Sequence, residues 1–192
     1  MSRAVLSIGS NMGDRLDLLW SVREHFADRL VAASAVYATP PWGPVAQDDF
    51  DNAVLVVDDD SCGPMDWLNE GFGLEAAAAR TRQQRWGPRT LDVDVVSVSV
   101  DGRVEVSDDP VLTLPHPRAR ERAFVLIPWL DADPDAQLWT PEGSRPVADL
   151  VVALDESDRA GVRRQDIPRW DAAQGDRPPG DGPQQNTKAS PR

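Results

Sequence analysis

Valine stands at positions 93, 95, 96, 98 and 100, in a run that opens Leu91-Asp92-Val93-Asp94. β-Branched side chains lose rotamer freedom in a helix but fit a pleated surface. Successive residues of a strand point to opposite faces. Leu91–Val100 therefore reads as a strand, with Asp92 and Asp94 on one face and Val93 and Val95 on the other. Two carboxylates about 7 Å apart along one backbone can converge on a hard cation. Mg2+ in particular takes one or two carboxylates together with waters and substrate phosphates. A bare Asp-x-Asp also fits the solvated face of a half-buried sheet, so the motif by itself leaves both readings open.

The remaining elements arrange themselves around that strand. Arg3–Ile8 is an apolar strand closed by Gly9-Ser10-Asn11. Asp14 is placed to cap a helix over 15–29, in which Leu16, Leu19, Trp20, Phe26 and Leu30 recur at helical spacing. Val31–Ala38 and Asn52–Val57 read as strands, and Pro64 opens a second helix running towards Arg80, weakened by Gly71 and Gly73. Asp101-Gly102 suits a hairpin turn into Val104–Val106, Leu112–Pro115 is extended, and Phe124–Leu130 is a short apolar element. This β-α-β-β-α-β order predicts an α+β, ferredoxin-like core: a mostly antiparallel sheet with two helices on one face. A single domain is expected over residues 1–165, followed by a Pro/Gly-rich tail over 166–192 that is expected to be disordered.

Charge narrows the function. Lys and Arg total 20 against 32 Asp and Glu, a formal net charge of −12. That excludes a protein built to grip duplex nucleic acid or an anionic membrane surface. The sign reverses locally. Arg80, Arg82, Arg85 and Arg89 fall within ten residues that contain no acid, and His116, Arg118, Arg120 and Arg122 follow with only Glu121 among them. Guanidinium groups suit bidentate phosphate contacts. Placed beside a carboxylate pair, they suit a polyphosphate carrying Mg2+. Cys62 is the only cysteine, which excludes an internal disulfide and a cysteine-based zinc site. No apolar run reaches the length of a membrane span or of a secretory leader core, so a cytoplasmic protein is expected; separately, a monomer is expected.

The segment Thr39-Pro40-Pro41-Trp42-Gly43-Pro44 is stiffened by three prolines. Stiff backbone presents fixed N–H and C=O groups to the edge of a flat heterocycle. Phe50 and Asn52 follow at strand spacing, an aromatic to stack on and an amide to hydrogen-bond, which suits a pterin or a purine. Gly9-Ser10-Asn11-Met12-Gly13-Asp14 follows a strand and precedes a helix, but it lacks the Gly-Lys-Ser/Thr ending of a P-loop. It reads as a tight turn near the site.

Five segments, in order, resemble the 6-hydroxymethyl-7,8-dihydropterin pyrophosphokinases of folate biosynthesis: Ile8-Gly9-Ser10-Asn11, Tyr37 to Gly43, Phe50-Asp51-Asn52-Ala53, Arg85 to Asp94 (RWGPRTLDVD) and Leu114-Pro115-His116-Pro117. The resemblance covers roughly residues 1–150. It implies transfer of pyrophosphate from ATP to the pterin hydroxymethyl oxygen, with release of AMP. By position it implies Asp92 and Asp94 as ligands of two Mg2+ ions, and Arg80 and Arg89 beside them as catalytic groups. Glu75, Arg82, Trp86, Arg89, His116 and Arg122 are then implied for ATP, Trp86 on a mobile loop that closes over it. Phe50 and Phe124 would sandwich the pterin, Asn52 would bond its edge, and the backbone of Thr39, Pro40, Pro41 and Trp42 would read its remaining donors and acceptors. The chain departs from the family pattern at Ala79, where glycine is usual, at Phe72, often polar, and at Pro117, an aromatic in some members. A metal contact or Asp94 would help remove the alcohol proton. Small-molecule partners alone are implied.

Two other classes explain parts of the pattern. One is another Mg2+-dependent nucleotidyl- or phosphotransferase on the Asp-x-Asp strand, distinguished by releasing pyrophosphate or ADP rather than AMP. The other is a non-enzymatic ligand-binding module on the same fold, which would need neither the aspartates nor the arginines.

Overall fold

The structure, a computed structural model, describes residues 1–41, 47–78 and 90–175. Its elements run β1 (Ser2–Ser10), α1 (Arg15–His25), a 3-10 turn (Ala27–Arg29), β2 (Leu30–Ala33), β3 (Tyr37–Thr39), β4 (Phe50–Asp59), α2 (Pro64–Ala77) and β5 (Asp92–Val100). There follow β6 (Arg103–Val104), β7 (Ser107–Asp108), β8 (Thr113–Leu114), a 3-10 turn (Ala119–Glu121), α3 (Ala123–Ala132), β9 (Gln137–Thr140), β10 (Gly143–Pro146), α4 (Val147–Ala153), α5 (Glu156–Gly161), β11 (Arg163–Arg164) and α6 (Pro168–Gly175). The main sheet is ordered β11-β3-β4-β1-β5-β6, with β2 also on β4, and its pairs are antiparallel. The expected α+β, ferredoxin-like core is present.

β1 lies at the centre, paired along its whole length to β4 on one side and from Ser2 to Gly9 to β5 on the other. Ala4, Leu6 and Ile8 of β1 share one face with Leu55, Val57, Val93 and Val95, and α1 and α2 cover it with Leu19, Val22, Phe26 and Trp67. Asp14 caps α1 as the sequence suggests, its carboxylate accepting the Asp17 N–H at 3.3 Å. Gly71 serves packing rather than weakening α2: a Cβ there would sit 3.2 Å from Val93 Cγ1, so its absence lets the helix lie close on β5.

The other face is also covered, which the two-helix expectation misses. Val5, Val54, Val56 and Val96 meet Val125, Leu126 and Trp129 of α3, with Leu138 and Leu150 behind. The apolar run Phe124–Leu130 is part of this helix. The valine pattern itself holds the clue. The register of β1 against β5 slips between Val5 and Leu6, so consecutive Val95 and Val96 enter opposite cores. The bulge leaves Val96 out of the β1 register and bends the strand there.

Two further expectations change. Val31–Ala38 is not one strand. Val54 donates its N–H to Ser34 Oγ at 2.9 Å, and the Ala35 N–H turns to Asp131 Oδ2 at 2.8 Å, so the strand breaks into β2 and β3. The tail does not begin at Asp166 either. Pro168–Gly175 is helical, and Trp170 is buried at 1% exposure with its Nε1 donating to Ser34 O at 2.7 Å. A single large aromatic ring, meeting Trp20 edge-on at 6.0 Å, holds this stretch although its composition is polar. Residues 176–192 lie outside the described residues.

Candidate active site

Register decides what can meet. Gly9 of β1 stands between Asn52 of β4 and Asp92 of β5, and Ser7 stands between Val54 and Asp94. Tyr37 and Thr39 of β3 pair with Asn52 and Phe50. Alternation then puts Phe50, Asn52, Asp92 and Asp94 on the face that α3 covers, at the end of the sheet where Gly9 lies. The chain's carboxylate pair and its amide–aromatic pair, 40 residues apart in sequence, thus share one surface on either side of one glycine.

Gly9 is required there for space. β1 continues through Ser10, so Gly9 is strand and not the tight turn expected of it; the turn comes later, with Gly13 at φ 67°. A Cβ on Gly9 would collide with Asn52 Oδ1. The Asn52 amide therefore occupies the space over Gly9, and its Nδ2 donates to Thr39 Oγ1 at 2.6 Å. Both Asn52 and Thr39 are buried, at 5% and 2% exposure. Phe50 is half-buried, and of the two prolines after Thr39, Pro40 is exposed and Pro41 partly so.

Asp92 and Asp94 are each partly exposed. Arg122 Nη1 lies 3.1 Å from Asp94 Oδ2, and its guanidinium carbon sits 5.5 Å from the centre of the Phe124 ring. Phe124, half-buried in the first turn of α3, is thus drawn to the border of the site by the same arginine that meets the second aspartate. His116 is tied to β5 through its N–H, which donates to Val96 O at 2.8 Å. Burial pushes its imidazole below the usual range, opposed by the Asp94 carboxylate and aided by Arg122. Its Nδ1 accepts the Arg118 N–H at 3.2 Å, which leaves the proton of the neutral ring on Nε2. The ring is a neutral donor, suited to an anionic oxygen.

Glu75 occupies a place the sequence does not reveal. It is buried at 5% exposure on α2, on the opposite face, and its Oε1 accepts the Val93 N–H at 3.0 Å. Val93 lies between the two aspartates, so Glu75 pins the strand that carries them. Arg80, Arg82, Trp86 and Arg89, with Trp42, lie outside the described residues.

The donor set fits a magnesium site in part. Among the described residues no cluster of three or more His, Cys, Asp and Glu side chains is placed to hold a metal. Two carboxylates on one strand face provide hard oxygen donors but not a full cage, which matches an ion completing its shell with water and phosphate. Among the described residues no helix is long and apolar enough to cross a membrane.

Residues 5–134 match the family model described as 7,8-dihydro-6-hydroxymethylpterin-pyrophosphokinase (HPPK). A protein of Mycobacterium tuberculosis named 2-amino-4-hydroxy-6-hydroxymethyldihydropteridine pyrophosphokinase is 50% identical over 168 residues, covering 85% of this chain and 89% of its own. One of the same name from Methylorubrum extorquens is 42% identical over 168 residues, covering 85% and 99%. Among solved structures, wild-type Plasmodium falciparum HPPK-DHPS superposes with a TM-score of 0.56 at 12% identity. That match covers 79% of this chain but only 44% of the solved one, so this chain corresponds to less than half of that protein; at such identity the likeness shows the fold.

Proposed function

The chain belongs to the 7,8-dihydro-6-hydroxymethylpterin-pyrophosphokinase family, and from that premise we propose how its residues carry the reaction. The activity is that of a pterin pyrophosphokinase of folate biosynthesis. The pterin hydroxymethyl oxygen attacks the β-phosphorus of ATP, the bond from that phosphorus to the α,β-bridging oxygen breaks, and AMP leaves while the hydroxyl proton is lost. The observation that carries this reading is the single surface around Gly9, with a heterocycle-sized amide and aromatic set on one side and a carboxylate pair on the other.

On the first side, Asn52 presents an oriented amide and Phe50 and Phe124 present ring faces to the pterin, with the backbone of Thr39 to Trp42 reading its edge. On the second side, Asp92 and Asp94 are the residues that would hold Mg2+, in two ions. Bound there, the metal supplies charge neutralisation of the triphosphate and alignment of the attacking and leaving oxygens. Arg122 and the neutral His116 contact phosphate oxygens, and Arg80, Arg82, Trp86 and Arg89 complete the ATP site, while Glu75, buried on the opposite face, braces β5 from behind rather than meeting the nucleotide. Transfer of this kind depends on positioning and on electrostatic stabilisation more than on covalent chemistry. Arg122 keeps Asp94 oriented and partly neutralised before substrate arrives, so the surface is organised in advance.

The test is one assay. ATP, Mg2+ and 6-hydroxymethyl-7,8-dihydropterin are incubated with the protein and the nucleotide products separated. The expected product is AMP, formed only with pterin present. ADP as product, or AMP independent of pterin, overturns the reading.

A further inference from the structure

The segment after α5 lies beyond the stretch matched by the family model, yet it touches the pterin side of the site from behind. β11 adds an edge strand to β3, with Arg163 opposite Ala38 and Arg164 opposite Tyr37. The Gln165 N–H donates to Val36 O at 2.8 Å. Gln165 Nε2 then reaches Asp51 Oδ1 at 2.6 Å, and Arg163 Nη2 reaches Asp49 Oδ2 at 2.9 Å. Asp51 is buried at 3% exposure and sits between Phe50 and Asn52, its side chain on the opposite face of β4. Arg15 Nε meets its other oxygen at 3.2 Å. At the near end, Gly161 lies against Pro40, where a Cβ would stand 3.1 Å from Pro40 Cγ.

Resting on the pterin reading above, we infer that residues 161–170 form a strap that positions Phe50 and Asn52 for the pterin by holding Asp51 from the rear. The strap is anchored at its far end by Trp170 in the core, and it spans both edges of the heterocycle site: Pro40 after β3, and Asp49 and Asp51 at the start of β4. Gln165 and Arg163 are positioning residues; they act through Asp51 and Asp49. Fixing a buried carboxylate between the two contact residues limits the rotation of both. A displacement of about 1 Å at such a site is enough to weaken a bound ligand severalfold or more. The contacts that tie the strap to the site lie at Val36, Pro40, Asp49 and Asp51, so its influence falls on the pterin rather than on ATP.

The full chain is compared with Gln165→Ala and with Arg163→Ala, measuring KM for 6-hydroxymethyl-7,8-dihydropterin, KM for ATP, and Tm. Gln165→Ala is expected to raise the pterin KM about tenfold, with the ATP KM changed less than twofold and Tm lowered by only a few degrees. Arg163→Ala is expected to do the same more weakly, and Arg163→Lys to restore wild-type values because it keeps the ion pair with Asp49. An unchanged pterin KM in Gln165→Ala overturns the strap, as does an equal rise of both KM values, which marks a general loss of structure. Equilibrium titration with the dihydropterin alone provides a second readout if either variant folds poorly. A wild-type protein that releases no pterin-dependent AMP instead defeats the functional reading, which separates the two failures.

Discussion

Charged groups from neighbouring elements gather near both ends of the central strand β1, and the two gatherings differ. At the Ser2 end, Arg29 bridges Asp59 at 3.1 Å and Glu70 at 2.6 Å, and stacks 5.0 Å from the Phe26 ring centre and 5.5 Å from that of Trp67. His25 Nε2 adds a contact to Glu70 at 2.8 Å. Arg29 thereby holds Glu70 down to about 2, and hydrogen bonds from Ser61 hold Asp59 at about 2. The same carboxylates push the neighbouring Cys62 thiol up to about 11, after burial as the larger cause, so it is not a reactive thiolate. At the Gly9 end, by contrast, Asp94 meets Arg122 and keeps a third of its side chain exposed. Charges saturated with mutual partners hold a fold together. At the Gly9 end the carboxylates share a strand face with an amide and an aromatic ring, a grouping that suits a ligand.

This contrast can be broken most directly at Asp92. Asp92→Ala is expected to lower kcat by about a thousandfold or more, the scale of losing a key electrostatic group in such a transfer. Its far-ultraviolet circular dichroism and Tm are expected to stay near wild type. An active variant would place the open end with the closed one, as mere solvated charge.

Arg122→Ala is expected to reduce kcat/KM for ATP by about tenfold to a hundredfold, near the worth of a charge-assisted contact. Steady-state kinetics with ATP varied checks this, and an effect on the pterin KM alone would assign the arginine to Phe124 instead. Gly9→Ala tests the space between the two halves. The added methyl displaces the Asn52 amide, so pterin affinity is expected to fall about tenfold. Stability is expected to drop by about 1–3 kcal/mol, the usual cost of overpacking, both read by ligand titration and urea melts.

The smallest functional effect is expected at the closed end. Glu70→Gln leaves turnover unchanged and lowers stability by about 1–2 kcal/mol, between exposed and buried ion pairs. Because Glu70 in the folded protein is depressed to about 2 from an ordinary value of 4.5, its contribution is present above 4.5. It is lost as pH falls towards 2. Wild-type Tm therefore declines across that interval more steeply than the variant's, measurable by melts from pH 6 to pH 2.5. An equal decline would remove Glu70 from the cause.

The strand reading of 91–100 and the helix cap at Asp14 were legible because period and capping are local. The single long strand over Val31–Ala38 failed because Ser34 and Asp131 offer its backbone other partners, and Asp131 lies 96 residues from Ala35. The ordered segment at 168–175 was hidden for a related reason: one tryptophan outweighs many polar neighbours only if a pocket exists for it. Glu75 was placed with the nucleotide by resemblance, while its bond to the Val93 N–H depends on how α2 lies against β5.

By itself the sequence determined the central strands and the first two helices, the placing of Asp92 with Asp94 on one face, and the family pattern, since all three rest on residue spacing along a backbone of fixed period. The tertiary structure alone decided that Gly9 lies between Asn52 and Asp92, that α3 covers the second face, that Glu75 bonds the Val93 N–H, and that the C-terminal segment reaches Asp49 and Asp51. Those outcomes depend on strand register and on packing across the sheet, where residues far apart in the chain compete for the same volume and the same hydrogen bonds.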